Sequence, residues 1–113
     1  MAASIINLET GMPKTEAAMM RLKLELATLR RCGIRSVKII HGYGSSGTGG
    51  SIRIATRNYL REQLQEGRIR VFCPGEQFGP FEASGRKAIQ LMPSFRTDPD
   101  WGRQNEGITI VVI

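Results

Sequence analysis

A single histidine stands at the start of the most glycine-rich segment of the sequence. His41 ends an apolar run, and five glycines lie between it and Arg53. Imidazole can donate or accept a proton near neutral pH, and glycines allow backbone N–H groups to approach a bound anion closely. The segment predicts either acid–base chemistry at His41 or binding of a phosphate beside it, with a structural, hydrogen-bonded histidine as the alternative.

The glycine segment matches two phosphate-binding motifs only in part. Gly42, Gly44 and Gly47 fit the dinucleotide pattern G-x-G-x-x-G, but the helix should begin there and "TGGS" delays it. In the P-loop pattern, Gly50 stands where a lysine should reach the phosphates. What remains is a set of backbone N–H groups ahead of a helix, which suits the single phosphates of a polynucleotide.

Basic residues follow the glycine segment at helical spacing. Arg53, Arg57 and Arg61 stand at i, i+4 and i+8, and we expect them to form a stripe on the solvent side that tracks a phosphate backbone. An ordinary exposed helix face is the alternative. The net charge of +6 also favours a polyanionic partner. The predicted nucleic-acid-binding residues are His41, Gly42, Tyr43, Gly44, Ser45, Gly47, Gly49, Gly50, Ser51, Arg53, Arg57 and Arg61.

Apolar periodicity predicts the elements that position this segment. Strands are predicted over Ser4–Leu8, Ser36–His41, Arg68–Phe72 and Gly107–Ile113. Helices are predicted over Thr15–Arg31, from a Ser51 cap to Gly67, and around Arg86–Met92, where a strand stays open. In the first helix, Met20 and Leu24 are expected to widen the apolar face. Helical crossovers imply parallel neighbouring strands, with the glycine segment at the carboxyl end of the second strand.

Cysteine usage and hydropathy limit the class of protein. Cys32 and Cys73 have no metal-ligand spacing and are expected to be buried free thiols, and no metal site is predicted. The sequence has neither a membrane-spanning apolar run nor a signal peptide, so we expect a cytoplasmic protein without a membrane partner. Asp98 and Asp100 suggest a turn rather than a calcium loop, and Trp101 could stack on a base or cover the sheet.

Three segments make the chain resemble the Smr (small MutS-related) domain family. They are "HGYG" after the second strand, the helix "IRIATRNYL" and the closing "GITIVVI", and the resemblance covers Ile5 to about Phe72 plus the last strand. It implies a two-layer α/β sandwich of order β-α-β-α-β-β. The four-stranded mixed sheet would carry its helices mainly on one face, as in the C-terminal domain of translation initiation factor three. We expect one domain over residues 1–113, with an atypical excursion at about 74–106.

The resemblance implies binding or nicking of structured DNA or RNA. Family nucleases carry L-D-x-H-G on the first strand, whereas this chain reads "INLETG", with Asn7 and Glu9 near the places of the acid and the histidine. We therefore expect a nucleic-acid-binding domain. The alternatives are an endonuclease that uses His41 and Glu9, with or without a divalent metal, and an interaction module without a nucleic-acid ligand.

Overall fold

The computed structural model describes residues 3–43 and 49–113. These residues form four strands, three α-helices and two short 3-10 helices. The strands are β1 (Ser4–Asn7), β2 (Ser36–Ile40), β3 (Val71–Pro74) and β4 (Ile108–Val112), the helices are α1 (Thr15–Arg31), α2 (Gly49–Gln65) and α3 (Ala83–Leu91), and the 3-10 helices span Gly75–Gln77 and Pro93–Thr97. No helix in the described ranges is long and apolar enough to cross a membrane.

The strands form one mixed sheet in the order β1-β2-β4-β3. β1 pairs parallel with β2, and β4 pairs antiparallel with both β2 and β3. The predicted mixed sheet is confirmed, but the prediction that β2 and β3 are neighbours is wrong because β4 lies between them. Every residue of β4 is buried, and a strand that is apolar on both sides is most stable in the centre, where both sheet faces are covered.

Helices α1 and α2 cover the first face of the sheet. Ala18, Leu22 and Leu26 of α1 are buried there. Met20 and Leu24 are 73% and 67% exposed, so the expectation that they widen the buried face is wrong. At about 100° per residue, both positions fall opposite the buried stripe.

The excursion between β3 and β4 covers the second face. Phe78 packs edge-on against Phe95 and Trp101, with ring centroids 5.7 and 5.0 Å apart. These rings belong to a second apolar cluster over β3 and β4. Trp101 therefore helps to cover the sheet, and the segment around residue 86 is a helix. With two of the three α-helices on the first face, the predicted α/β architecture is confirmed.

Three local predictions differ from the structure. Helix α2 begins at Gly49, so Ser51 lies within its first turn instead of capping it; first-turn N–H groups have no intrahelical partner, which makes this turn tolerant of weak helix formers. Strand β3 begins at Val71 because Arg68 still bonds to the end of α2 through Gln63. Cys73 is buried, but Cys32 is exposed where α1 ends at the surface.

Candidate nucleic-acid interface

The residues His41–Tyr43, here called the HG turn, follow β2 and are fixed to the start of β4. The backbone N–H groups of His41 and Gly42 both donate to the carbonyl of Gly107, each at 3.0 Å. Gly42 has φ +81°, a left-handed conformation that glycine adopts without a Cβ clash. The local sequence therefore reverses the chain tightly at the carboxyl end of β2.

The imidazole of His41 is buried, and both of its nitrogens are hydrogen-bonded. Nδ1 lies 2.9 Å from the carbonyl of Gly42, and Nε2 lies 2.8 Å from Oγ1 of Thr109. A carbonyl can only accept, so Nδ1 carries the proton and Nε2 accepts the hydroxyl proton of Thr109. Burial lowers the pKa of His41 to about 4. The ring is therefore neutral at physiological pH and has no free nitrogen for an acid or base role.

Arg57 extends this hydrogen-bond chain on the inner side of α2. Its Nε donates to Thr109 Oγ1 at 3.3 Å, and its Nη1 and Nη2 donate to the two carboxylate oxygens of Glu76, each at 2.8 Å. Burial alone would raise the pKa of Glu76, but the hydrogen bonds and charge of Arg57 outweigh it and lower that pKa. The side chain of Arg57 is only 15% exposed, so its predicted place in a solvent-facing stripe is wrong.

The other two arginines of the predicted stripe stay closer to solvent. Arg61 is exposed; its Nη1 donates to Asn58 at 2.8 Å, and its guanidinium lies 5.9 Å from the centre of the Phe72 ring. Arg53 is partly buried one turn before Arg57, and its charge lies close enough to His41 to disfavour protonation of the imidazole. The stripe is therefore interrupted at Arg57 by the ion pair with Glu76.

Tyr43 and Glu9 stand on two sides of the HG turn. A Cβ placed on Gly107 would lie 3.2 Å from Cε2 of Tyr43, and a Cβ on Gly42 would lie 2.5 Å from Oε2 of Glu9. The Tyr43 ring thus rests against the backbone of Gly107 while the residue stays 57% exposed. The Glu9 carboxylate lies beside Gly42, and the ring nitrogens of His41 bond elsewhere.

A groove of about 290 Å³ opens between these residues on the second face of the sheet. Its lining comprises Ile5, Glu9, Lys38, Ile40, Gly42, Tyr43, Asp100, Asn105, Gly107 and Ile108. One exposed ring, an apolar floor and a few polar groups form the kind of surface that accepts a planar, partly polar ligand. The groove and the HG turn together form a continuous candidate site.

Asp100 of the excursion lines one wall of this groove, and it shares its lysine partner with Asp98. Lys38 Nζ donates to Asp98 at 2.7 Å and to Asp100 at 2.6 Å. Burial alone would lower the pKa of Lys38, but hydrogen bonds to Asp100 and Asp98 outweigh it and raise that pKa. The two carboxylates therefore share the single positive charge of a β2 lysine, and the three side chains together keep one negative charge. Across residues 3–43 and 49–113, no group of three His, Cys, Asp or Glu side chains could hold a metal ion.

The structure describes only some of the remaining predicted binding residues. Gly44, Ser45 and Gly47 lie outside the described residues, whereas Gly49, Gly50 and Ser51 form the first turn of α2. Sequence reasoning missed Glu76 and Thr109, which hold Arg57 and His41. Thr109 was detectable in principle, because it is a polar residue within the apolar run of "GITIVVI", and a buried hydroxyl requires a partner.

Comparison with known proteins identifies the family. The Smr domain family model matches residues 10–78, and the chain belongs to the Smr domain family. Among solved structures, the Smr domain of Thermus thermophilus MutS2 superposes with a TM-score of 0.59 at 20% identity, covering 97% of this chain and 96% of that one. No curated protein sequence matches the chain significantly. The structural likeness shows the same fold, and Smr domains are in general nucleic-acid-binding and nuclease-related domains.

Proposed function

We propose that this Smr domain binds nucleic acid through the HG turn, the adjoining groove and the first turns of α2. The proposal rests on which side chains stay accessible at this end of the sheet. Tyr43 presents a ring supported by Gly107, and Arg53 on α2 lies near enough to the adjacent His41 for its charge to act there. An aromatic ring can stack on a base, and a guanidinium can contact the adjacent phosphate.

The first turn of α2 adds a further reason to expect a phosphate here. Its leading N–H groups have no partner within the helix, and the aligned peptide dipoles make this end positive. No acidic residue stands in the first turn of α2. A phosphate held near Arg53 would therefore meet two favourable electrostatic contributions from the same element.

The role we assign to His41 is structural. Its Nδ1 proton is directed at Gly42, its Nε2 accepts from Thr109, and its low pKa keeps the ring neutral. It therefore fixes the HG turn to β4 and forms no part of an acid–base pair. A general acid or base requires a pKa near the working pH and access to the reacting atom, and His41 has neither.

Binding and cleavage assays test this proposal together. The ligands are branched, single-stranded and duplex DNA and RNA, each at several salt concentrations and with or without Mg²⁺ or Mn²⁺. We expect salt-dependent binding without cleavage. Tyr43→Ala should weaken binding, whereas Tyr43→Phe, the matched control that keeps the ring, should preserve it.

Two results would contradict the proposal. Cleavage that disappears in Glu9→Gln would indicate the endonuclease alternative, in which the carboxylate beside Gly42 acts on the ligand. Absence of salt-dependent binding to every DNA and RNA would indicate an interaction module with a different partner.

A further inference from the structure

Five arginines meet at the end of the sheet opposite the HG turn. They are Arg30, Arg31, Arg35, Arg68 and Arg70, here called the arginine cluster. Two of them end α1, one precedes β2, and two lie between α2 and β3. Because β2 separates Arg35 from His41 by six residues at about 3.3 Å each, the cluster lies about 20 Å from the HG turn.

Backbone hydrogen bonds place these segments side by side. The carbonyl of Arg35 accepts from Ile113 N, and Arg70 N donates to Val112 O, each at 2.8 Å. Arg35 and Arg70 thus flank the end of β4, about two strand spacings or 10 Å apart. Arg30 Nη2 also donates to the carbonyl of Arg68 at 2.7 Å, which joins the end of α1 to the turn after α2.

Few contacts within the fold account for this concentration of charge. Arg68 pairs with Glu66 at 3.2 Å, but both side chains are more than half exposed, and such pairs contribute little. Arg30 and Arg31 can offset the negative end of the α1 dipole. In the described part of the chain, the guanidinium groups of Arg35 and Arg70 form no hydrogen bond or ion pair, and both residues are exposed.

Several arginines outside the cluster donate to specific acceptors. Arg21 donates to the carbonyls of Asn7 and Thr10, and Arg86 donates to the carbonyl of Pro80. The arginine cluster instead gathers like charges, which raises the energy of the folded chain unless an anion is bound. Within the described residues, the one ion pair of the arginine cluster is that of Arg68 with Glu66, so positive charge remains in excess.

We propose that the arginine cluster is a second phosphate-binding surface that contacts the same polynucleotide as the HG turn. This inference rests on the proposed function for the nature of the ligand, but it concerns a different surface. Helix α2 spans the distance: its 17 residues rise about 25 Å, from Arg53 near one end past the exposed Arg61. A backbone that follows α2 reaches both surfaces, and guanidinium groups match phosphate oxygens in geometry and charge.

The test compares two charge-matched double variants. Arg35→Gln/Arg70→Gln alters the cluster, and Lys87→Gln/Arg96→Gln removes the same charge from exposed positions on and after α3. Thermal unfolding checks that each variant folds. The probes are labelled single-stranded DNA and RNA of about 20 nucleotides, long enough to follow α2, and of about 4 nucleotides, long enough for one end only.

We expect the cluster variant to reduce the slope of log affinity against log salt by about 1.4 for the long probes, since each lost single-strand phosphate contact contributes about 0.7. The short probes should bind the cluster variant and the wild type with the same salt dependence at the HG turn. The control variant should change the slope by less than half as much.

The outcomes separate this inference from the proposed function. If the cluster variant matches the control while Tyr43→Ala and Arg53→Gln weaken binding, the inference is overturned and the HG-turn proposal stands. If only the cluster variant weakens binding, the cluster binds the polynucleotide by itself, and both the HG-turn proposal and the claim that one strand contacts both surfaces fail. Phosphatidylserine vesicles serve as an additional probe. If the cluster variant binds DNA and RNA as the wild type does but no longer binds these vesicles, the surface faces a lipid and the inference is overturned.

Discussion

Arginines at the two ends of the sheet differ in whether a distant carboxylate holds them. Beside the HG turn, Arg57 is held by Glu76 and Thr109, and through Thr109 it supports His41. At the other end, the guanidinium groups of Arg35 and Arg70 form no ion pair or hydrogen bond with any described residue. The difference shows that a count of arginines does not give the number available to a ligand. An arginine is available to a ligand when no acceptor from another element reaches its guanidinium.

Acid should lower the stability of the fold first through His41, which supports the HG turn. The pKa of His41 is lowered to about 4 from 6.5, so between these pH values the unfolded chain binds a proton that the folded chain does not. The contribution of His41 to the free energy of unfolding is therefore fully present above pH 6.5. It is lost as the pH falls through about 4, and the loss amounts to up to about 3 kcal/mol. His41 is the sole histidine, and urea unfolding at a series of pH values measures the effect.

The pH window identifies the group responsible. The pKa values of Glu76 and Asp100 are lowered from 4.5 and 3.8, so their contributions are lost only at lower pH. His41→Gln should abolish the dependence between pH 6.5 and 4.5, whatever its overall stability. A wild-type protein whose stability is flat over this window would contradict the buried, neutral imidazole.

Removing Arg57 should have the next largest effect on stability. Arg57→Ala leaves Glu76 without its bidentate partner and removes a donor to Thr109. Breaking a buried ion pair costs about 3–5 kcal/mol, and since Glu76 is one-third exposed we expect about 2 kcal/mol. Urea unfolding measures it, and Arg57→Lys, which keeps the charge but loses the paired geometry, should fall between wild type and Arg57→Ala.

Tyr43→Ala should act on binding and leave stability nearly unchanged. The ring rests on Gly107 but is mostly exposed, so its removal costs little packing. Loss of one stacked base is worth about 1–3 kcal/mol, or at least a fivefold loss of affinity. Fluorescence anisotropy with labelled single strands measures the change. Equal loss in Tyr43→Phe would show that the hydroxyl, and not the ring, carries the contact.

Arg61→Ala should have the smallest effect on stability, below about 0.5 kcal/mol. Among the residues that the structure describes, its guanidinium contacts Asn58 and the Phe72 ring at the surface. The same variant should lower the salt slope of binding by about 0.7 if the ligand follows α2. An effect on unfolding as large as that of Arg57→Ala would remove the distinction between held and available arginines.

The sequence predicted the elements of this fold better than their arrangement. Helix α1 was predicted with its observed limits because Ala18, Leu22 and Leu26 repeat at helical spacing before Gly33. The central place of β4 was missed because chain order indicates which strands are linked, not which strands pair. Its uninterrupted burial is the property of a central strand, and that signal was present in "ITIVV".

The position of the HG turn in the fold was predicted, but the contacts of the side chains around it were not. The HG turn lies at the carboxyl end of β2, as the βαβ pattern requires. The roles of Arg57 and Lys38 could not be predicted, since their partners Glu76, Asp98 and Asp100 come from segments far along the chain. Periodicity places a side chain on one side of its own element but does not indicate which distant carboxylate will reach it.

The most direct test of the account is to map ligand binding on the backbone amides by NMR. Labelled protein would be titrated with a single strand of about 20 nucleotides, and the amide shifts followed residue by residue. The account predicts the largest shifts at Gly42, Tyr43 and Arg53, with further shifts along α2 toward the arginine cluster, and little change in α3. Shifts confined to α3 and the aromatic residues of the excursion would contradict it.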